Sequence, residues 1–288
     1  YNFSEENDKY NRVFGVDYNL ASEDNTWAGR YYLHKSVNPD DKGGNFSAQA
    51  ITTYNKNNWV FINDWTYVDN DFTADLGFVP RTDIFKMGNF AQRFFFPKNR
   101  EVINRNNVQL LFINYFRPKL DFKLTDYILR GTWETEFASN AKITANVFSQ
   151  YILLTDDFDP TRTDGGTPLP GNESYRFSYT NIEFASNNTK LFTYGLNTTI
   201  GQFFNGNRYS VGGTLGYRWQ PWGQFSLNVN YDGIKLPEPY ESANYWLITP
   251  RVDVTFNKSL FFNALMQYSN QRENFGINAR LQWRFAPL

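Results

Sequence analysis

Cysteine is absent from this 288-residue chain. That excludes a disulfide framework, a thiolate metal site and a cysteine nucleophile. A single histidine, His34, is all the sequence offers for imidazole chemistry. It stands among Tyr31, Tyr32 and Lys35 with no nucleophile motif beside it, so it reads as a wall residue rather than part of a Ser-His-Asp triad. One histidine without cysteine also makes no zinc site. Neither sign of charge is in excess: 28 Lys+Arg stand against 29 Asp+Glu, which leaves no electrostatic case for nucleic acid. Mean hydropathy is −0.58, and no apolar run approaches the roughly 18 residues of a membrane helix. A helical membrane protein is excluded. A membrane barrel is not, because its polar-facing half dilutes the average.

Aromatic side chains are plentiful: 28 Phe, 19 Tyr and 8 Trp make 19% of the chain. They belong to a period-two pattern. Phe275, Ile277, Ala279, Leu281, Trp283 and Phe285 alternate with Gly276, Asn278, Arg280, Gln282 and Arg284. Side chains of a strand alternate faces, so this is a ribbon with one apolar and one polar face. The pattern recurs at Phe14–Leu20, Trp27–Leu33, Ile143–Tyr151, Tyr209–Trp219, Phe225–Tyr231 and Trp246–Phe256. Such copies exceed the usual soluble strand of about 5 to 6 residues and match the roughly 9 to 11 of a tilted membrane-crossing strand.

Alternation and turn chemistry together predict fifteen strands, near 12–21, 26–37, 45–55, 58–69, 86–96, 106–117, 121–134, 141–155, 174–186, 189–203, 207–219, 224–233, 244–256, 259–269 and 274–285. Short turns near 22–25, 55–58, 118–119, 186–188, 220–223 and 257–259 contrast with long polar links near 38–44, 70–85, 98–107, 156–174 and 233–243. Outer-membrane barrels show this asymmetry. The alternation slips between 97 and 121, where a misassigned strand is one explanation. The parity of turns places at least one strand upstream of Tyr1, and the ending at 284–288 stops on a turn-forming proline. The start at Tyr1, with no basic n-region or apolar h-region, fits a removed signal peptide or a piece of a longer polypeptide. The expectation is one domain over 1–288: an all-β, antiparallel, up-and-down transmembrane β-barrel of about 16 to 18 strands when complete.

The stretches 267–285 and Gly77-Phe-Val-Pro-Arg-Thr-Asp83 resemble a barrel domain of unknown function common in Bacteroidota. In that family the barrel follows a β-sandwich similar to the family 9 carbohydrate-binding modules. The resemblance implies flanking sequence on both sides and a link to glycans, and it brings no catalytic residues.

Site residues follow from the alternation. On the polar face lie Arg218, Arg251, Asp253, Asn263, Gln267, Asn278, Arg280, Gln282 and Arg284, predicted to line a lumen. There they either set selectivity or form networks that brace the wall. Trp27, Trp59, Tyr217, Trp219, Trp246, Phe256, Tyr268, Phe275 and Trp283 are predicted to face lipid or form interfacial girdles. The alternative for these aromatics is the core of a soluble sandwich. Asp64, Asp69, Asp71 and Asp75, and the group Asp156, Asp157, Asp159 and Asp164, suit Ca²⁺ by ligand type. Their spacing matches no EF-hand, and acidic loops are ordinary on a barrel rim; no metal is assigned. The segment 71–86 is too long for a turn and is expected to fold inward or cap the lumen.

The reading is an outer-membrane protein of a Gram-negative bacterium, no enzyme and without cofactor, acting as the membrane anchor and conduit of a larger envelope protein. Its partners are outer-membrane lipid and, as candidates, envelope proteins or glycans, but not nucleic acid. A non-conducting structural subunit, an outer-membrane hydrolase and a soluble sandwich are the rivals.

Overall fold

The computed structural model describes residues 2–6, 9–39, 43 and 45–285. Parts of the 38–44 link and the proline ending at 286–288 lie outside them. Among the described residues sixteen strands make up the fold. The first nine are β1 (Asn2–Glu6), β2 (Lys9–Ala21), β3 (Trp27–Val37), β4 (Phe46–Lys56), β5 (Trp59–Val68), β6 (Ile84–Phe95), β7 (Ile103–Arg117), β8 (Lys123–Phe137) and β9 (Lys142–Leu153). Then come β10 (Ser174–Ala185), β11 (Phe192–Phe203), β12 (Gly206–Trp219), β13 (Gly223–Lys235), β14 (Ala243–Thr255), β15 (Leu260–Ser269) and β16 (Asn274–Trp283).

Strand order follows the sequence from β1 to β16, and every described ladder is antiparallel. The fold is therefore all-β and up-and-down, as its alternation implies. Each of the fifteen expected strands is present with ends shifted by no more than three residues. β1 is the addition; its five residues are too few to display a period. The slip between 97 and 121 hides no misassigned strand. The link at 96–102 is simply long and the turn after β7 short, with a one-turn 3-10 helix at Pro118–Leu120. Among the described residues no helix is long and apolar enough to cross a membrane.

The chain divides into two compact units. The first comprises Tyr1–Phe95, Asn107–Gly131 and Phe148–Leu153; the second comprises Phe96–Asn106, Thr132–Val147 and Leu154–Leu288.

In the second unit the register lines up two faces of opposite chemistry. Row by row across β12 to β16 run Tyr217–Phe225–Val252–Ala264–Ala279, then Leu215–Leu227–Pro250, then Gly213–Val229–Ile248–Tyr268–Phe275. Leu196, Ile200, Leu215, Ile277 and Leu281 on this face are exposed to the extent of 47–65%. Buried hydrophobics are few among the described residues. In water this much exposed apolar surface would aggregate. In hydrocarbon it is the stable arrangement, because the ladder satisfies the backbone and the side chains meet acyl chains.

Aromatics bound the apolar band at both ends. Tyr209, Tyr231 and Trp246 adjoin one another near one end, with ring centroids 5.8 Å and 4.7 Å apart. Phe192, Tyr217 and Trp219 sit at the other. From Tyr209 to Tyr217 is eight residues. At about 3.4 Å per residue and a tilt near 40° that gives about 21 Å of depth, close to the apolar band of about 25 Å in outer-membrane barrels.

The first unit shows the same two faces. Asp24 fixes its β2–β3 turn. The Thr26 hydroxyl, the Thr26 N–H (3.0 Å) and the Ser22 hydroxyl (2.8 Å) all donate to it. These bonds, Thr26 first, hold its carboxyl well below the usual carboxylate range. Because the folded value lies beneath the unfolded one, the stabilisation is present above the unfolded pKa and fades as pH falls through the folded one. The Thr26 amide is therefore expected to keep its hydrogen-exchange protection down to about pH 4 and lose it only in stronger acid. Loss already at pH 5 would disprove the assignment.

Candidate functional site

The polar face of the first unit carries a cross-strand row in register, Asp17–Tyr32–Gln49–Thr66–Lys86, on β2 to β6. Beside it runs a second, Gly15–His34–Ser47–Val68–Ile84. Asp64 is the hub of the hydrogen bonding. It accepts from Lys86 Nζ at 2.5 Å, Gln49 Nε2 at 3.0 Å and the Thr66 hydroxyl at 3.2 Å. Arg30 reaches Gln49 Oε1 at 3.5 Å. His34 stacks on Tyr32 with centroids 4.4 Å apart, and its Nε2 lies 3.4 Å from Asp17 Oδ1.

Gly15 makes that stack possible. A Cβ built there would fall 2.0 Å from His34 Cδ2, so the imidazole lies flat over a backbone that carries no side chain. Gly15→Val is expected to expel the ring and cost about 1–3 kcal/mol, as overpacking does. Urea titration of the folded protein measures this; unchanged stability would show that the ring is not seated there.

The loop 69–83 closes over this face. Asn11 donates to the Thr73 carbonyl at 3.2 Å and the Thr73 hydroxyl at 2.7 Å, and accepts from the Asp75 N–H at 3.2 Å. Ser36 Oγ accepts from the Thr73 N–H at 3.2 Å. Phe72, only 6% exposed, packs with Val68 and Ile84, and Val13, Ala74 and Val79 surround them. At the far end, Arg81 pairs with Asp126 at 3.3 Å and lies over the Tyr115 ring. The Lys119 N–H donates to Asp83 at 3.0 Å. Between loop and sheet is a cavity of about 810 Å³, with Asp17, Tyr32, His34, Gln49, Lys86 and Phe78 in its wall. Carboxylate, amide, ammonium and stacked rings together suit a hydroxylated solute rather than an ion of one sign.

In the second unit the residues expected on the polar face divide into groups. Asp253, Asn263 and Arg280 fall in one cross-strand row. Arg251 folds onto Asp253 at 2.8 and 3.1 Å, and Gln224 donates to the same carboxylate at 3.0 Å. Gln267 faces Gly276, Asn278 faces Leu265, and Gln282 faces Phe261, so this face is less uniformly polar than the alternation implies. Arg218 reaches the Asn188 and Lys190 carbonyls of the β10–β11 turn, both at 2.6 Å. Arg284 lies over the Phe261 ring at 5.3 Å. Of the four arginines, Arg218 and Arg251 are thus taken up by local partners. Of the aromatics, Trp27, Tyr217, Trp246, Phe256, Tyr268, Phe275 and Trp283 are exposed. Trp59, also exposed, carries the Arg93 guanidinium over its ring, and Trp219 stacks beside Tyr217.

Several contributors went unread in the sequence. Arg208 makes a bidentate pair with Asp232 at 2.7 and 2.6 Å, and Lys86, Gln49, Tyr32 and Asn11 build the first unit's site. Their period-two parity was a visible signal; their partners were not. Asp159, in the loop 154–173, is an acidic residue spent on its own loop. Burial works against its ionisation, yet the Thr161 hydroxyl and N–H and the Thr163 N–H hold it below the usual range. Asp157 accepts from the Gly171 N–H at 2.8 Å. Among the described residues no three acidic or imidazole groups converge on a metal position.

No family model matches the sequence, and no curated protein does. Among solved structures the chain is similar to one described as outer-membrane expressed OmpT of Vibrio cholerae. Identity is 10%, coverage is 98% of this chain and 100% of that one, and the TM-score is 0.39. Strand length, register and the exposed apolar band make this chain an outer-membrane protein of the up-and-down β-barrel class. The Bacteroidota and carbohydrate-module resemblance gains nothing from these comparisons. The expectation of no enzyme is corrected. Absence of catalysis does not stand as a property of this chain.

Proposed function

We propose that the chain anchors an envelope protein in the outer membrane and passes small polar solutes, glycans among them, along its polar face, with the loop 69–83 narrowing the way. One observation carries this reading: the loop is docked by Asn11, Ser36 and Phe72 onto the polar side of the sheet, leaving a cavity of about 810 Å³ rather than a packed core. The Tyr32–His34 stack beside Gln49 offers an apolar platform with flanking donors and acceptors, the combination that suits a sugar ring. The resemblance of 77–83 to barrels that follow carbohydrate-binding sandwiches points the same way. The residues proposed to line the path in the second unit are Asp253, Asn263, Gln267, Asn278, Arg280 and Gln282. The purified protein, with folding verified by heat-dependent gel mobility, should give discrete conductance steps in a planar bilayer. Silence would reject the conduit.

A second reading is a closed structural subunit of a larger outer-membrane assembly. The pairs Lys86–Asp64, Arg208–Asp232 and Arg251–Asp253 favour it, since charges that neutralise one another brace a wall and present little field to a passing ion. Conductance separates the two.

A further inference from the structure

One cation of the first unit stands on the side that otherwise meets hydrocarbon. Arg93, near the end of β6, pairs in register with Trp59, and Ala91 with Phe61. Gln92, which shares the parity of Lys86, donates to Asn107 Oδ1 at 3.0 Å on the polar face. Arg93 therefore lies on the apolar one. Its guanidinium is held between two rings, 4.7 Å from the Trp59 centroid and 4.9 Å from that of Phe95. Among the described residues its side chain has no carboxylate partner and donates no hydrogen bond. Arg105, Arg208 and Arg251, by contrast, each meet an acidic side chain at 2.6–2.8 Å. Beside Arg93 runs a groove of about 260 Å³, walled by Trp59, Phe95, Val108 and Leu110 with Ala91 at its base. Ala91 leaves that space because it is a single methyl in a row that otherwise carries Tyr54 and Phe61.

We infer that this groove binds one phospholipid, with its phosphate on Arg93 and a stretch of acyl chain along Ala91, Val108 and Leu110. Charge selects the head group. A guanidinium stacked between rings keeps its N–H edge free, and that fork matches a phosphate with two parallel hydrogen bonds. Depth agrees. A cation on a barrel's lipid face is costly at the midplane and tolerated only near the interface. Trp59 marks that level as the first residue of β5, and lipid phosphates are the anions found there. The end of the strand selects the leaflet. The β4–β5 turn is two residues, 57–58, whereas the other end of β5 opens into the loop 69–83. Short turns belong to the periplasmic side of outer-membrane barrels, so the lipid comes from the inner leaflet. It is therefore a phosphoglyceride rather than a lipopolysaccharide.

Native mass spectrometry of the lipid-stripped protein in detergent, titrated with dioleoylphosphatidylglycerol, tests this. The parent should take up a single lipid. Arg93→Gln should weaken that uptake at least about tenfold, the loss expected for charge-assisted hydrogen bonds. Ala91→Phe, which fills the groove and leaves the cation, should weaken it as much. Ile200→Phe, at a position 64% exposed on the apolar face of the second unit, should bind like the parent. Dioleoylglycerol has the same chains without the phosphate and should bind the parent at least about tenfold less well. Folding of each variant is checked by heat-dependent mobility. If neither groove variant folds, the comparison of the two lipids on the parent decides. No adduct on the parent, equal binding of the two lipids, unchanged binding in a folded groove variant, or a preference for lipopolysaccharide would overturn the proposal.

Discussion

Excision of residues 71–82 raises single-channel conductance: this is the largest effect expected of the conduit reading. The loop spans the polar side of β2 to β6 and holds itself there through one buried aromatic and a few hydrogen bonds from Asn11 and Ser36. Phe72→Ala is the gentler variant. Phe-to-Ala changes at buried sites cost about 3–5 kcal/mol, which at about 1.4 kcal/mol per tenfold shifts the docked-to-undocked ratio by roughly a hundredfold or more. The variant should therefore conduct like the excised protein for most of the time, with flicker from brief re-docking. If both variants match the parent's conductance while showing the folded gel mobility, the loop does not constrict the path.

The second large effect concerns the face proposed to meet lipid. Leu196 sits opposite Gly213 in the central row of the second unit's apolar band and is 55% exposed. Leu196→Lys is expected to destabilise the protein in bilayers by about 2–4 kcal/mol, the depth-dependent cost of a cation near the midplane of a barrel's lipid face. Asn197→Lys, one residue along and on the opposite face beside Gly212, should stay within about 1 kcal/mol, because its side chain remains in water. Urea unfolding in lipid vesicles measures both. Equal costs at the two positions would mean that the faces are not divided between lipid and water.

Much of the architecture was visible in one dimension. The alternation around Phe225–Tyr231 and Phe275–Phe285 already separates the two faces, since parity along a strand is a local property. The inward loop at 71–86 was expected from its length alone. The partnerships were not visible. Lys86 and Asp64 are 22 residues apart, Arg81 and Asp126 45, and no local pattern couples them. His34 looked incidental because its value lies in Gly15, Tyr32 and Asp17, two of which are on another strand. Arg218 and Arg251 could be placed on the polar face by parity, but not their partners, turn carbonyls for the one and a same-strand aspartate for the other.

From the amino-acid order alone came the strands, their up-and-down succession and the chemistry of each face, because side-chain alternation and turn residues act over a few positions. Tertiary structure decided which polar groups neutralise one another, where the loop docks and what cavity it leaves. Those outcomes depend on inter-strand register and on contacts between residues far apart in the chain, where a shift by one position exchanges every neighbour.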